Sequence, residues 1–260
     1  MGNRIITGLL GLLLLCQCTN QENEDNSQDN SINIGELIIV PGTCIPDVAD
    51  KYVYPIVPGT EKWNNLGSEE EAIKACQLPD NVLKKISTLG LIRSFLDVPI
   101  TFGFYHLYSV SCPISRINGI YSYNNSVKEL LNRKDSGEAL LLFFDALCFD
   151  CLETMDVTRR MYFSIQLAAL EVFFAQQEIL NQLDHENRQK VVAMLLTMYE
   201  QMQIINFDGF MDHASIYVIA RVMYLSNYKP IIDLFGSKDK LCYSSERVEN
   251  IILYAKNFIR

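Results

Sequence analysis

The sequence predicts an all-α protein: an irregular, superhelix-like α–α stack preceded by an extended, proline-rich arm. Three observations predict it. Helix-start signatures recur at Ser68-Glu69-Glu70-Glu71, Ser126-Val127-Lys128-Glu129 and Asp135-Ser136-Gly137-Glu138. Apolar residues repeat at helical spacing, most clearly from Arg159 to Asn181. Pro41-Gly42, Pro46, Pro55 and Pro58-Gly59 crowd instead into residues 34–67, where they favour extended and turn backbone. With 260 residues, 49% hydrophobic and 20% charged, the chain is sized for one globular domain with appendages.

The first element is an export signal. Met1-Gly2-Asn3-Arg4 places a positive charge ahead of an apolar run from Ile5 to Leu15. That run is shorter than the ~20 residues a membrane-spanning helix needs. Leu15, three positions before Cys18, resembles the lipobox of bacterial lipoproteins, in which the cysteine is lipidated and becomes the new N-terminus. Cys18 fits the register better than Cys16. The resemblance implies a signal peptide at residues 1–17, a lipid on Cys18 and anchorage to the membrane as an outer-membrane lipoprotein of the cell envelope. An ordinary secretory signal that contains cysteines is the other reading. Residues 18–33 follow as a tether, because Asn20 to Ser31 includes no apolar residue to offset the entropy of ordering. Its acids Glu22, Glu24 and Asp25 resemble the surface-export signal of Bacteroidetes lipoproteins; a solvated spacer facing the periplasm is the alternative.

In the arm, residues 34–67, Leu37-Ile38-Ile39-Val40 and Tyr52-Val53-Tyr54 each read as a short strand, a single edge piece rather than a sheet. Tyr52, Tyr54 and Trp63 are expected to clamp the arm to the body. The same three aromatics are also candidates for a binding ledge. The helical domain, residues 68–260, begins at the Ser68 capping box. Pro79 suits a first helical turn, and Pro99 and Pro113 mark breaks. From Arg159 to Asn181, one stripe (Met161, Ile165, Ala168, Val172) lies beside another (Phe163, Leu167, Leu170, Phe174), so this helix is buried on much of its circumference. A second long helix follows Asp184, with Val191, Leu195, Met198 and Met202 inward. Further helices fit Met211–Leu225, Pro230–Phe235 and Ser245–Phe258.

Charge narrows the function. Lys and Arg number 22 against 31 Asp and Glu, a net charge of −9, which excludes a phosphate-backbone binder: no nucleic-acid partner is expected. With Cys16 cleaved and Cys18 lipidated, Cys44, Cys76, Cys112, Cys148, Cys151 and Cys242 remain, free to form disulfides in an exported chain or to pack as small hydrophobes. Cys148-Phe149-Asp150-Cys151 is the one motif suited to catalysis, as a thiol-redox pair. It follows the apolar run Ala139–Leu147 and so lies near a helix C-terminus, where the dipole disfavours a thiolate. Zinc needs about four ligands at regular spacing, and His106, His185 and His213 stand far apart, so no metal or cofactor is assigned. Ser226-Asn227-Tyr228-Lys229 matches S-x-x-K, with Ser122-Tyr123-Asn124 a partial second motif, but the order is reversed and no sheet is available to hold them. Glu153 and Asp156 read as a solvated helix end.

Trp63, Ala75-Cys76-Gln77-Leu78-Pro79 and Ser87-Thr88-Leu89-Gly90-Leu91 resemble a family of uncharacterised lipoproteins from gut Bacteroidetes. So do Asn118-Gly119, Glu129-Leu130-Leu131-Asn132-Arg133-Lys134-Asp135, Leu170-Glu171 with Ala175-Gln176, and Ala220-Arg221. Leu89 stands where the family is expected to carry an acid. The resemblance implies location and a helical fold and brings no catalytic residues. The expected function is a non-enzymatic binding or scaffold module on a lipid anchor, taking a protein, peptide or glycan partner. A thiol-redox protein using Cys148 and Cys151 is the alternative.

Overall fold

The computed structural model describes residues 33–40, 43–99, 124–204, 212–237, 241 and 247–260. Of these, 64% are helical and 2% lie in strands, so the protein is all-α. Ile32–Arg260 cluster into one compact unit that includes the arm. Expectations for the signal peptide, Cys18, the tether, His106, Cys112, Pro113 and Cys242 fall outside the described residues.

In the arm, β1 (Leu37–Ile38) pairs antiparallel with β2 (Asp47–Val48), Leu37 opposite Val48 and Ile38 opposite Asp47. This corrects the expectation of an unpaired edge piece with a second strand at Tyr52–Tyr54. The Thr43 N–H and hydroxyl both donate to Val40 O (3.1 and 2.8 Å), turning the chain back on itself. Tyr52 N–H donates to Ser94 Oγ (2.7 Å), which ties that segment to a helix instead of a ladder.

The arm also caps α4 (Thr88–Leu96). The first amides of a helix lack partners within it. Here Thr88 and Leu89 N–H donate to the carbonyls of Asn33 and Ile34 (3.1 and 2.9 Å). Ser87 Oγ accepts from Gly90 N–H (2.9 Å), while Asp50 accepts from both Ser87 N–H and its hydroxyl (2.7 and 2.8 Å). Asp50 thus supports the Ser87 cap from outside the helix. Gly35, at φ +91°, runs so close that a Cβ there would collide with Ser87 Oγ.

Three short helices precede α4: α1 (Glu61–Asn64), α2 (Glu69–Ala75) and α3 (Asp80–Leu83). At α2 Ser68 Oγ accepts from Glu71 N–H (3.2 Å) as a capping box requires, but the Glu71 carboxylate accepts from Gly67 N–H (2.7 Å), one residue before the cap. The next two starts are displaced from their expected form. In α5 (Asn125–Asn132) the cap is Asn124, which accepts from Ser126 N–H (2.9 Å). The helix starts early because Asn125 is held sideways: its N–H donates to Gln77 Oε1 (2.9 Å) and its amide exchanges two bonds with the Leu78 backbone (3.0 and 2.7 Å). In α6 (Ser136–Asp145), the Asp135 carboxylate leaves the cap role to accept from Thr88 Oγ1 (2.7 Å), and Gly137 N–H turns to Gln182 Oε1 (2.9 Å).

A 3₁₀ turn (Asp150–Thr154) leads into α7 (Val157–Phe174) and α8 (Gln177–Leu180). The sequence reads these as one helix. The break has a cause: Arg221 Nε donates to Ala175 O (2.6 Å), occupying the carbonyl a continuous helix would use. Both apolar stripes are buried except Met161, which is 37% exposed. Then follow α9 (His185–Ile204), α10 (Asp212–Leu225), α11 (Lys229–Phe235) and α12 (Val248–Phe258). In the C-terminal half α10 is the hub, touching α7, α8, α9, α11 and α12; in the N-terminal half α4 touches β2, α5 and α6. Phe95 on α4 meets Phe173 on α7 edge to face at 5.1 Å, joining the two halves.

Arg133, just past α5, donates to the carbonyls of Leu83 and Ile86 (both 2.8 Å), to Thr88 Oγ1 (3.1 Å) and to Glu129 (3.0 Å). Arg133→Ala is expected to lower stability by roughly 3 kcal/mol, since it strands helix-end carbonyls away from water. Arg133→Lys should recover little, because a single ammonium does not reproduce the fork. Urea midpoints check both. Lys229→Ala, which removes an exposed ion pair with Asp233, should leave the midpoint unchanged.

Candidate functional site

A cleft of about 560 Å³ opens between the arm and the N-terminal half of α7. Val40, Cys44 and Asp47 form the arm side, Arg93 comes from α4, and Tyr162 and Phe163 come from α7. The walls are fixed. Gln166 on α7 donates to Leu96 O at the end of α4 (2.9 Å). Arg93 Nη2 pairs with Asp97 (3.0 Å) and its Nε lies 3.4 Å from Asp47, while Lys51 reaches Asp47 (2.6 Å) and Asp97 (3.8 Å). Two acids and two bases neutralise one another, so Arg93 does not bring free charge to the cleft. Burial raises Asp97, outweighing Arg93 and Lys51. Burial also acts to raise Asp47, but hydrogen bonds from Lys51 and Val48 N–H, with the charges of Lys51 and Arg93, hold it below the usual range.

The mouth differs. Arg159 is 77% exposed in its side chain and its pair with Asp156 is long, at 3.5 Å. Tyr162 is 41% exposed and Val40 39%. The site therefore joins an apolar lining to a solvated guanidinium and an accessible phenol.

The arm wall is fastened by a disulfide between Cys44 and Cys151, whose Cα atoms are 5.5 Å apart across a sequence separation of 107. In the alternative reading Cys148 and Cys151 form the redox pair; here Cys151 is bonded instead to Cys44. Cys151, in the 3₁₀ turn beyond α6, reaches the arm, and Cys148 remains an exposed thiol two residues before that turn. Cys148 N–H donates to Cys44 O (3.0 Å), which brings the arm alongside the motif. Nothing in the sequence distinguished Cys44 from the other cysteines.

The remaining candidates resolve one by one. Tyr54 is 6% exposed, and Tyr52 and Trp63 are partly buried against the core, a placement that suits clamping of the arm. Burial pushes the Tyr54 phenol well above its ordinary value. Cys76 is buried. His185 packs edge to face on Phe258 at 5.5 Å. The Ser226 hydroxyl donates to Val222 O (2.7 Å) and Lys229 pairs with Asp233, so S-x-x-K brings no nucleophile to a base. Asp156 caps α7 by accepting from Arg159 N–H (2.9 Å), with Glu153 exposed nearby. Among the described residues no three His, Cys, Asp or Glu side chains converge as metal ligands. Among them, too, no helix is long and apolar enough to cross a membrane.

Compared with known protein families, curated proteins and solved structures, the chain has no match.

One titratable group lies outside the cleft. Glu171 on α7 is 1% exposed; its Oε1 accepts from Ser215 on α10 (2.7 Å), and Oε2 has no partner among the described residues. Burial pushes its carboxyl up to about 8, against a lesser opposing effect of the Ser215 hydrogen bond.

Two predictions follow from this geometry. Removing the disulfide by Cys44→Ser with Cys151→Ser should cost about 3–5 kcal/mol in urea unfolding, the scale for a cross-link closing about a hundred residues. Glu171 binds its proton in the folded chain between pH ~4.5 and about 8, where the unfolded chain has lost it. Its contribution is therefore full below that window and falls as pH rises through it, by up to ~1.4 kcal/mol per pH unit. Glu171→Gln, neutral throughout, should flatten that part of the stability–pH curve; unchanged curvature would count against a buried neutral acid.

Proposed function

We propose that the protein is a lipid-anchored, non-enzymatic binding module of the bacterial cell envelope, held in the outer membrane through Cys18. In this reading it belongs with the gut Bacteroidetes lipoproteins that its sequence resembles. The ligand is a short peptide segment of a partner protein, bearing an apolar side chain beside a carboxylate.

One observation carries the reading: an apolar cleft whose mouth presents Arg159 and Tyr162 to solvent while its inner charges are already paired. Val40, Met155 and Phe163 offer apolar contact, which favours an aliphatic or aromatic side chain over a sugar, whose hydroxyls need dense hydrogen bonding. A carboxylate at the mouth would meet the Arg159 fork in a charge-assisted pair. The partly exposed Tyr162 adds amphipathic surface of the kind enriched at binding interfaces. The acidic tether would hold the module clear of the membrane surface.

Screening a peptide library against the full chain should enrich acidic–apolar peptides. Arg159→Ala should weaken their binding about tenfold (~1.4 kcal/mol), and Tyr162→Ala should weaken it as well. Binding indifferent to both substitutions removes the cleft from the proposal. Intact mass of protein taken from its native envelope should show acyl chains on Cys18, and an unmodified cysteine there removes the anchor.

A further inference from the structure

We propose that Cys148 and the Cys44–Cys151 disulfide form a thiol–disulfide exchange site, in which Cys148 displaces Cys44 from Cys151 and unfastens the arm. Three sulfur-bearing residues meet at one turn. Cys148 is exposed, and Cys44 and Cys151 are joined beneath it, 2% and 5% exposed. Phe149 has helical backbone (φ −96°, ψ −16°) and Asp150 opens the 3₁₀ turn, so Cys148 and Cys151 sit at the two ends of a single turn. Such ends lie within ~7 Å between Cα atoms, a span that overlaps the disulfide range. Cys151 Sγ already lies 3.0 Å from the Cys148 carbonyl oxygen. The arm approaches the same point through the Cys148 N–H bond to Cys44 O, at 3.0 Å.

The step balances without an added oxidant or reductant. Cys148 loses its thiol proton to water, and the thiolate attacks Cys151 Sγ. A Cys148–Cys151 bond forms as the Cys44–Cys151 bond breaks. Cys44 leaves as a thiolate and takes a proton from water, so one disulfide and one thiol remain. Met155 Sδ, 3.8 Å from Cys44 Sγ, gives the departing sulfur a polarizable neighbour. The released Cys44 lines the cleft. The exchange rests on the cysteines alone and stands apart from the peptide-binding reading.

The test uses the full oxidised chain, incubated from pH 6 to 8 without reductant, trapped by rapid alkylation at low pH and mapped by non-reducing peptide mass analysis. Cys148 and Cys151 fall on one tryptic peptide, residues 135–159. Exchange turns that peptide from a cross-link with the Cys44 peptide into an internally bridged form, with alkylated Cys44 appearing in equal amount. Both products should form faster as pH rises and be absent in Cys148→Ser. Cys44→Ser should hold Cys148 and Cys151 as an internal disulfide under mild oxidation. Alkyl label on Cys148 and none on Cys44 at every pH, with Cys151 still cross-linked to Cys44, overturns the proposal. So does a Cys44→Ser chain that keeps both thiols free. No ligand is read at any stage, so either failure leaves the cleft's binding to its own test.

Discussion

Stacking short helices brings their C-terminal ends inside the fold, and the last carbonyls of a helix have no partner within it. Arginine supplies the partner three times. Arg133 takes Leu83 O and Ile86 O beyond α3, Arg221 takes Ala175 O beyond α7, and Arg188 takes Leu180 O and Leu183 O around the end of α8. A guanidinium suits the task because it offers several donors in a fixed fork and carries positive charge to the negative end of the helix dipole. Each arginine reaches across from another element, so each cap is also a tertiary contact. Arg133 extends furthest. Its own carbonyl accepts from Gln182 (2.8 Å), whose Oε1 holds Gly137 at the start of α6, while Thr88 Oγ1 links it to Asp135. The ends of α3 and α5 and the starts of α4 and α6 are set by one connected network.

The α7–α10 contact shows the other side of this arrangement. Ser215 answers one oxygen of Glu171, and the second oxygen lacks a partner among the described residues. A charged carboxylate there would bear the full loss of hydration, so the group is held by its proton instead of by a cation. Arg221, on the same helix as Ser215, is committed to Ala175 O. The one guanidinium thus caps α7, and the hydroxyl of Ser215 is what α10 offers the Glu171 carboxyl.

What was legible in the sequence follows from range. Periodicity and the Ser68 cap concern residues within one helix, and those expectations match the structure closely. Expectations failed where a side chain turned sideways. Ser126 lost the cap to Asn124 because Gln77 and Leu78 engage Asn125, Asp135 turned to Thr88, and Arg221 interrupted the long helix at Ala175. The lateral joints are Gln77-Leu78, Arg133 to Asp135, Glu171, Ala175 and Arg221. They were visible as residues and unreadable as contacts. The cleft was wholly out of reach, since its walls come from three segments and its Cys44–Cys151 fastening closes a separation of 107 residues.

That fastening has a mechanical reason. Among the described residues the arm contributes two strands of two residues each, a backbone ladder too small to hold it independently. Backbone bonds to Thr88 and Leu89 secure its first residues and the Asp50–Ser87 pair its middle, while Val40, Thr43, Cys44 and Ile45 line the cleft between these points. Without a cross-link, this stretch would depend on a few apolar contacts at the rim of an open cleft, where local opening is easiest. The disulfide falls within that stretch. It makes the arm side of the cleft a fixed wall opposite the solvated side chains Arg159 and Tyr162. Opening the disulfide would leave Val40, Thr43 and Ile45 held by those apolar contacts alone, so the arm side of the cleft is as firm as its cross-link.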